Sequence, residues 1–456
     1  MAKNTRHALS RRGFLLGSGA LAGSLTLAAC GPNADPPAGG ASSGSGELEF
    51  LWRNLEPEEP VLKELIAQFM SENEGITVNE TYVPIDGYDQ RVDLLIAGGT
   101  PPAVWGSLYN RGLRYYASRD QMTPLDDYVA DSSIDLGDYT EAAIELSTWD
   151  GQLLSVPNEA LTVALVYNKT MFEEAGVPLP PKDWGDRSWT WDAFLEAAQA
   201  LTQGTDQFGF QGWQDPRYEL ANFGVNLWDD EGDVTGYPTE LNTSPELIEA
   251  IQFMGDLINR HKVQPDASQT EALASQGLPD LFVSGTFGMK VTFMGAIATY
   301  ATIEDFEWGI AAIPAPVSLP RRGYQYLGNL AIPLNQPDEQ AAFRLLEFLA
   351  SAESQARFPI AAQNWMSSKL SLAGDWTSTV SAATGVPAEE LAVFQESQAV
   401  SKPAFGAYAV EWQQLWDTVY QPQIESVTLG RATAAEAVAA MQEPFDRVVA
   451  NSGGGS

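Results

Sequence analysis

The chain has 456 residues, with 60 Asp and Glu against 25 Lys and Arg and a formal net charge of −35. A surface this acidic repels nucleic acid and anionic lipid, so nucleic acid is not an expected partner. One Cys and two His exclude an intrachain disulfide and the usual zinc sites and argue against a Ser-His-Asp hydrolase, whereas catalysis by paired carboxylates passes this filter.

The chain opens with Arg6, Arg11 and Arg12, followed by an apolar stretch from Phe14 to Ala29. That stretch is too short and too rich in Gly and Ala for a membrane span, so residues 1–29 read as a signal peptide. Ser10-Arg11-Arg12-Gly13-Phe14-Leu15 resembles the twin-arginine export signal. Leu27-Ala28-Ala29-Cys30-Gly31 resembles the bacterial lipobox, in which the Cys is lipidated and becomes the mature N-terminus. The alternative is an ordinary apolar leader carrying a stray Cys. Residues 30–46, rich in Pro, Gly, Ser and Ala, read as a flexible tether. Removing 1–29 deletes four basic residues and no acidic one, which takes the charge to −39. The single His left, His261, closes a predicted helix, where a cation suits the helix dipole.

Glu47 to Trp52 reads as a first strand. Pro60 to Asn73 follows as a helix with Val61, Leu62, Leu65, Ile66, Phe69 and Met70 on one face. Ile76 to Val83 is a second strand, Tyr88 to Ala97 a helix, Ala103 to Trp105 a short strand and Arg111 to Ala117 a helix. After Pro157 the alternation resumes with a strand from Leu161 to Tyr167 and a helix from Lys169 to Ala175 ended by Gly176. Trp191 to Leu201 is a helix capped by Thr190, and Ser244-Pro245 opens another that runs to His261. Phe287 to Val291, Trp308 to Ile313 and Gln325 to Ile332 are further strands. Val410 to Tyr420 and Ala434 to Val449 are helices, and 451–456 should be a disordered tail. Strands alternating with helices imply an α/β fold with a mostly parallel sheet, and about 410 residues after the tether imply two lobes.

Several runs resemble the extracellular solute-binding proteins of family 1, the group that includes maltodextrin-binding proteins. Val92 to Val104 is similar to its "L-x-x-x-I-A-x-G-x-x-P-D-V" segment, Gln121 to Asp126 to "G-x-L-x-P-L-D", and Gly151 to Pro157 with Val166 to Lys169 to "G-K-x-Y-x-x-P … x-Y-N-K". Leu281 to Met289 resembles "F-x-x-G-x-A-A-M", and Ala342 to Ser351 resembles "A-x-x-F-L-x-F-L-x-S". Ala103 stands where the family often has Asp, Gly288 replaces an Ala, and Gly295 falls near where maltodextrin-binding members place a stacking Trp. The resemblance implies a periplasmic-binding-protein-like α/β fold, two lobes joined by a hinge that the chain crosses more than once, with solute in the cleft. It divides the chain into 47–157 plus about 308–365 for the N-terminal lobe and 158–307 plus about 366–450 for the C-terminal lobe.

Sugars stack their C–H faces on aromatic rings and need hydrogen-bond partners for their hydroxyls. In open α/β sheets the ligand sits beyond the carboxyl ends of strands. Trp52, Arg53 and Asn54 follow the first strand, and Gly106, Ser107 and Tyr109 follow the third, so each is a candidate, the alternative being loop structure or lobe packing. The resemblance adds Asn158 and Glu159 at the first crossing, where a carboxylate accepts from sugar hydroxyls or merely braces the hinge, Gly328 and Asn329 at the second, and Trp365 near the third. Trp412, with Tyr408 a turn earlier, matches a C-terminal-lobe stacking position, and Phe293 or Met294 would substitute for the Trp missing at Gly295. Trp213 and Trp228 are stacking platforms or core. Asp229 to Asp233 lacks calcium-loop spacing and Gly98-Gly99-Thr100 lacks a phosphate-loop Lys, so no metal or nucleotide cofactor is expected. The expectation is a non-enzymatic, monomeric sugar receptor, anchored by lipid outside the cytoplasmic membrane, that hands its ligand to the permease of an ATP-driven importer. The rivals are a secreted carboxylate-pair glycosidase and the same fold holding a non-sugar solute.

Overall fold

The computed structural model describes residues 46–54, 58–106, 112–212, 220–227, 236–275, 277–278, 280–316, 318–403 and 409–452. Arg11, Arg12, Cys30 and the tether up to residue 45 lie outside the described residues. The fold resides in Gly44–Ser456.

Twelve strands are described: β1 Glu47–Asn54, β2 Thr77–Pro84, β3 Val104–Gly106, β4 Thr148–Trp149, β5 Gln152–Leu153, β6 Ser155–Asn168, β7 Phe208–Phe210, β8 Phe287–Phe293, β9 Trp308–Ala311, β10 Tyr324–Ala331, β11 Met366–Ser367 and β12 Lys402–Pro403. The main path runs β2-β1-β3-β10-β6-β8-β7, with β9 and β11 also on β6 and β12 on β10. At one end β1 lies parallel to β2 and β3, with helices α1 (Glu58–Glu72), α2 (Ile85–Ala97) and α3 (Gly112–Ala117) in the connections. The expected mostly parallel sheet is corrected here. β10 is antiparallel to both β3 and β6, and β8 and β9 are antiparallel to β6. Parallel pairing needs a crossover within one sheet, whereas β6 and β10 run directly from one core to another.

The apolar side chains divide accordingly. Phe50, Trp52, Leu62, Leu65, Phe69, Leu330, Leu346 and Phe358 cover one face of the first lobe, and Leu51, Tyr88, Val92, Trp105 and Tyr116 the other. The second core holds Val163 to Tyr167, Phe194, Ile251, Phe287, Ile310, Tyr324, Ile360, Trp376, Trp416 and Phe445. The chain therefore changes core between Val156 and Ala160, between Tyr324 and Leu330, and between Phe358 and Ile360. The return to the first lobe, expected at about 308, comes later because β9 pairs with β6 inside the second core.

Pro157 also behaves differently from expectation. Strand β6 does not begin after it but runs through it, as all fourteen of its residues are buried. The register slips between Gly328 and Asn329 of β10, which face Glu159 and Pro157 and leave Asn158 unmatched. A bulge of this kind tolerates a residue with no N–H, and it turns Asn158 toward the third crossing. The predicted helix from Val410 to Tyr420 is instead a short helix, Trp412–Leu415, followed by π-helical turns over Trp416–Tyr420. Among the described residues no helix is long and apolar enough to cross a membrane.

Candidate ligand-binding site

Alternation along β1 sends Phe50 and Trp52 into the first core, where their rings stack 5.6 Å apart and Trp52 meets Phe358 edge-on. Gly106 makes this possible, since a Cβ there would lie 1.9 Å from the Trp52 ring. The indole Nε1 then donates to Glu58 Oε2 at 2.9 Å. Of the candidates, Trp52 is thus a core residue with one polar edge, and Gly106 is the space that admits it.

Arg53 sits at the meeting point of the lobes. Its Nη2 donates to Glu58 Oε1 at 3.0 Å and to Glu159 Oε1 at 2.8 Å, and all three side chains are 0% exposed. The guanidinium lies 5.7 Å from the Trp52 ring and 5.3 Å from that of Trp365. Tyr326 on β10 adds to its electrostatic surroundings. The cation at the end of β1 is therefore touched from the first crossing by Glu159 and from beyond the third by Trp365, with Tyr326 of the second adding to the electrostatic field around it. Gly328 clears the way for Glu159, as a Cβ there would fall 2.3 Å from the Glu159 Cγ.

Burial alone would depress the Arg53 guanidinium, but Glu159 and Glu58 outweigh it and hold it well above its ordinary value. Glu58 feels the opposite balance. Burial, with a contribution from Glu159, raises it to about 7 although Arg53 and Trp52 both donate to it.

The third crossing completes the arrangement. Gln355 donates to Asn158 Oδ1 at 3.2 Å, the Ser368 N–H donates to the Asn158 carbonyl at 3.2 Å, and Ser367 Oγ donates to Gln355 Oε1. Asn158 Nδ2, Gln325 Nε2 and Asn329 Oδ1 are buried without a hydrogen-bond partner among the described residues. Unsatisfied groups of this sort belong where water or a ligand binds.

At Gly295, where a stacking Trp was missed from the family pattern, a Cβ would lie 2.5 Å from Trp365 Nε1. The indole of the third crossing therefore fills the space that the glycine leaves. Met294 is fully buried and its Sδ accepts from the Met366 N–H, while the Phe293 ring packs 5.6 Å from Tyr324. Trp412 is 5% exposed in the second core, its ring 5.7 Å from Trp416 and 6.5 Å from Tyr420. Ser107, Tyr109, Trp213, Trp228, Tyr408 and the side chain of Asn54 lie outside the described residues.

Sequence reasoning missed Glu58, Gln355 and Tyr326. Glu58 falls in the run Glu56-Pro57-Glu58-Glu59-Pro60, which reads as a solvated helix start, and no local signal reveals its burial. A separate cavity of about 900 Å³ joins Arg114, Tyr139 and Trp149 of the first lobe to Tyr237, with Glu141, Glu145 and Asp150 also in its lining. No group of three or more His, Cys, Asp or Glu is placed to hold a metal among the described residues.

A two-lobed fold with a polar and aromatic node at a triple crossing is a receptor arrangement, and the sequence comparison decides the family. Residues 54–356 match the model of the bacterial extracellular solute-binding proteins. The chain belongs to that family. A sn-glycerol-3-phosphate-binding periplasmic protein of Shigella dysenteriae is 23% identical over 334 residues, covering 68% of this chain and 71% of that protein. Among solved structures, the ABC substrate-binding protein of Listeria monocytogenes in complex with cycloalternan superposes with a TM-score of 0.73 at 20% identity. It covers 89% of this chain and 99% of that one. The cyclic α-maltosyl-1,6-maltose binding protein of Arthrobacter globiformis gives 0.71 at 18% identity, covering 90% and 100%. These likenesses fix the fold as that of a two-lobed solute-binding protein.

Proposed function

We propose that this solute-binding protein takes a saccharide between its lobes and delivers it to the membrane permease of an ATP-driven importer, without catalysing a reaction. The observation that carries the reading is the node at Arg53, where the end of β1 meets Glu159 of the first crossing and the ring of Trp365 near the third. A solute held there touches both lobes and the hinge at once, so its binding favours the closed form by its differential affinity. Aromatic faces with carboxylate and amide partners suit sugar C–H faces and hydroxyls. The Listeria protein is in complex with cycloalternan and the Arthrobacter protein is a cyclic α-maltosyl-1,6-maltose binding protein, which agrees with this chemistry. Asn158, Glu159, Gly328, Asn329 and Trp365 are the residues of the hinge side that we assign to it, with Arg53 behind them.

Calorimetric titration against mono- and oligosaccharides, with small-angle scattering of the free and saturated protein, tests the reading. A saccharide should bind at a single site and reduce the radius of gyration. An unchanged radius at saturation would refute closure, and silence across the panel would refute the saccharide.

The same proposal includes export through Arg11 and Arg12, a lipid anchor on Cys30 outside the cytoplasmic membrane, and a monomeric receptor. Cys30→Ala should release soluble protein from the membrane fraction, and undiminished attachment would sink the anchor.

A further inference from the structure

We propose that Glu58 is a specificity residue that commits this receptor to uncharged solutes by occupying the guanidinium of Arg53. The inference rests on the reading of the node as part of the solute site and narrows that reading to a chemical class.

A guanidinium at the carboxyl end of a parallel strand, facing the lobe junction, is the natural anchor for a phosphate or carboxylate. Here one nitrogen of that anchor, Nη2, is taken twice over. The Nη2 of Arg53 is shared between Glu58 at 3.0 Å and Glu159 at 2.8 Å, and the faces of Trp52 and Trp365 lie close to the guanidinium. Glu58 is held at both oxygens, Oε1 by Arg53 and Oε2 by Trp52 Nε1, and the Trp52 ring is itself fixed against Gly106. The carboxylate therefore cannot swing aside without breaking two hydrogen bonds and disturbing the first core.

The local charge points the same way. Once Glu58 is ionised, above about pH 7, two carboxylates face one guanidinium, all three fully buried, so an incoming anion would meet an excess of negative charge where water cannot screen it. A hydroxyl-bearing solute has no such conflict, because its O–H groups donate to carboxylate oxygens and accept from amides. The phosphate ester named for the Shigella relative is thus the ligand chemistry this node excludes, and Glu58 is the group that excludes it.

The test uses the mature protein and two variants, Glu58→Gln, which keeps the shape and the acceptor for Trp52, and Glu58→Asp, which keeps the charge. Each is titrated calorimetrically at pH 8, where Glu58 is ionised, and low ionic strength with maltotriose and a panel of neutral sugars, then with sn-glycerol 3-phosphate and inorganic phosphate. Wild type and Glu58→Asp should give no phosphate binding at millimolar concentration, while Glu58→Gln should bind sn-glycerol 3-phosphate about tenfold or more tightly than wild type. Phosphate binding by the wild type overturns the proposal, and this arm stands even if Glu58→Gln does not fold. A folded Glu58→Gln with no gain overturns it as well. A gain of phosphate binding with no response to any sugar would leave the role of Glu58 standing and remove the saccharide reading.

Discussion

Two aromatic regions of this molecule carry the residues that sequence reasoning would assign to a sugar site, and the structure treats them in opposite ways. Around Arg53, side chains from β1, α1, the first crossing and the stretch after the third converge on a charge, and glycines at 106, 295 and 328 clear space for the Trp52, Trp365 and Glu159 side chains. Around Trp412, the neighbours Trp416 and Tyr420 come from the same helical segment, and the cluster is part of one core. The difference lies in what burial costs. A buried apolar ring contributes stability by leaving water, whereas a buried charge must be matched by partners that several elements supply. A site that responds to lobe movement therefore belongs to the first kind of region.

The sharpest test of this contrast is Trp412→Ala. With its ring in the second core, the substitution should lower stability by about 3–5 kcal/mol through lost transfer energy and the cavity left behind. Chemical denaturation gives the stability, and calorimetric titration gives the affinity. A small loss of stability together with a large loss of affinity would move Trp412 from the core into the solute site and break the contrast.

Trp365→Ala probes the other region and should have a smaller effect on stability, about 1–2 kcal/mol, because the ring is only half-buried and contributes its contact with Arg53 and its packing over Gly295. Its effect on saccharide affinity should exceed that of Trp412→Ala. Equal affinity for wild type and Trp365→Ala would take the third crossing out of the solute site.

Much of the fold was legible because local signals agree with it. The helix Lys169–Ala175 was bracketed by Asn168, whose side chain caps it, and by Gly176 in the left-handed conformation. The helix from Pro245 was announced by Ser244 and a Pro in its first turn. What stayed hidden was non-local. Pro157 looked like a strand breaker, and only its pairing opposite Asn329 reveals a bulge. The glycine at 295 looked like a missing Trp, although Trp365, seventy positions away in the chain, fills its space. Glu58 carries no local signal of burial, and its place in the node depends on Arg53, which it shares with Glu159.

Glu58 also makes the charged region sensitive to pH in a way the apolar one is not. Its proton affinity is raised from an ordinary 4.5 to about 7, chiefly by burial, so between these values the folded protein holds a proton that the unfolded chain releases. The folded state then binds more protons than the unfolded one, and stability must fall as pH rises through this window. The contribution is complete below about pH 4.5, is lost progressively toward pH 7, and amounts to roughly 1–3 kcal/mol. Carboxylates held below their usual range, such as Asp186, Asp266 and Glu436, act with the opposite sign and at lower pH. The difference between wild type and Glu58→Gln therefore isolates the effect. Urea denaturation at pH 5, 6 and 7 should show wild type losing stability relative to Glu58→Gln as the pH rises. Parallel curves for the two proteins would mean that Glu58 is ionised throughout and that the node keeps its full excess of negative charge.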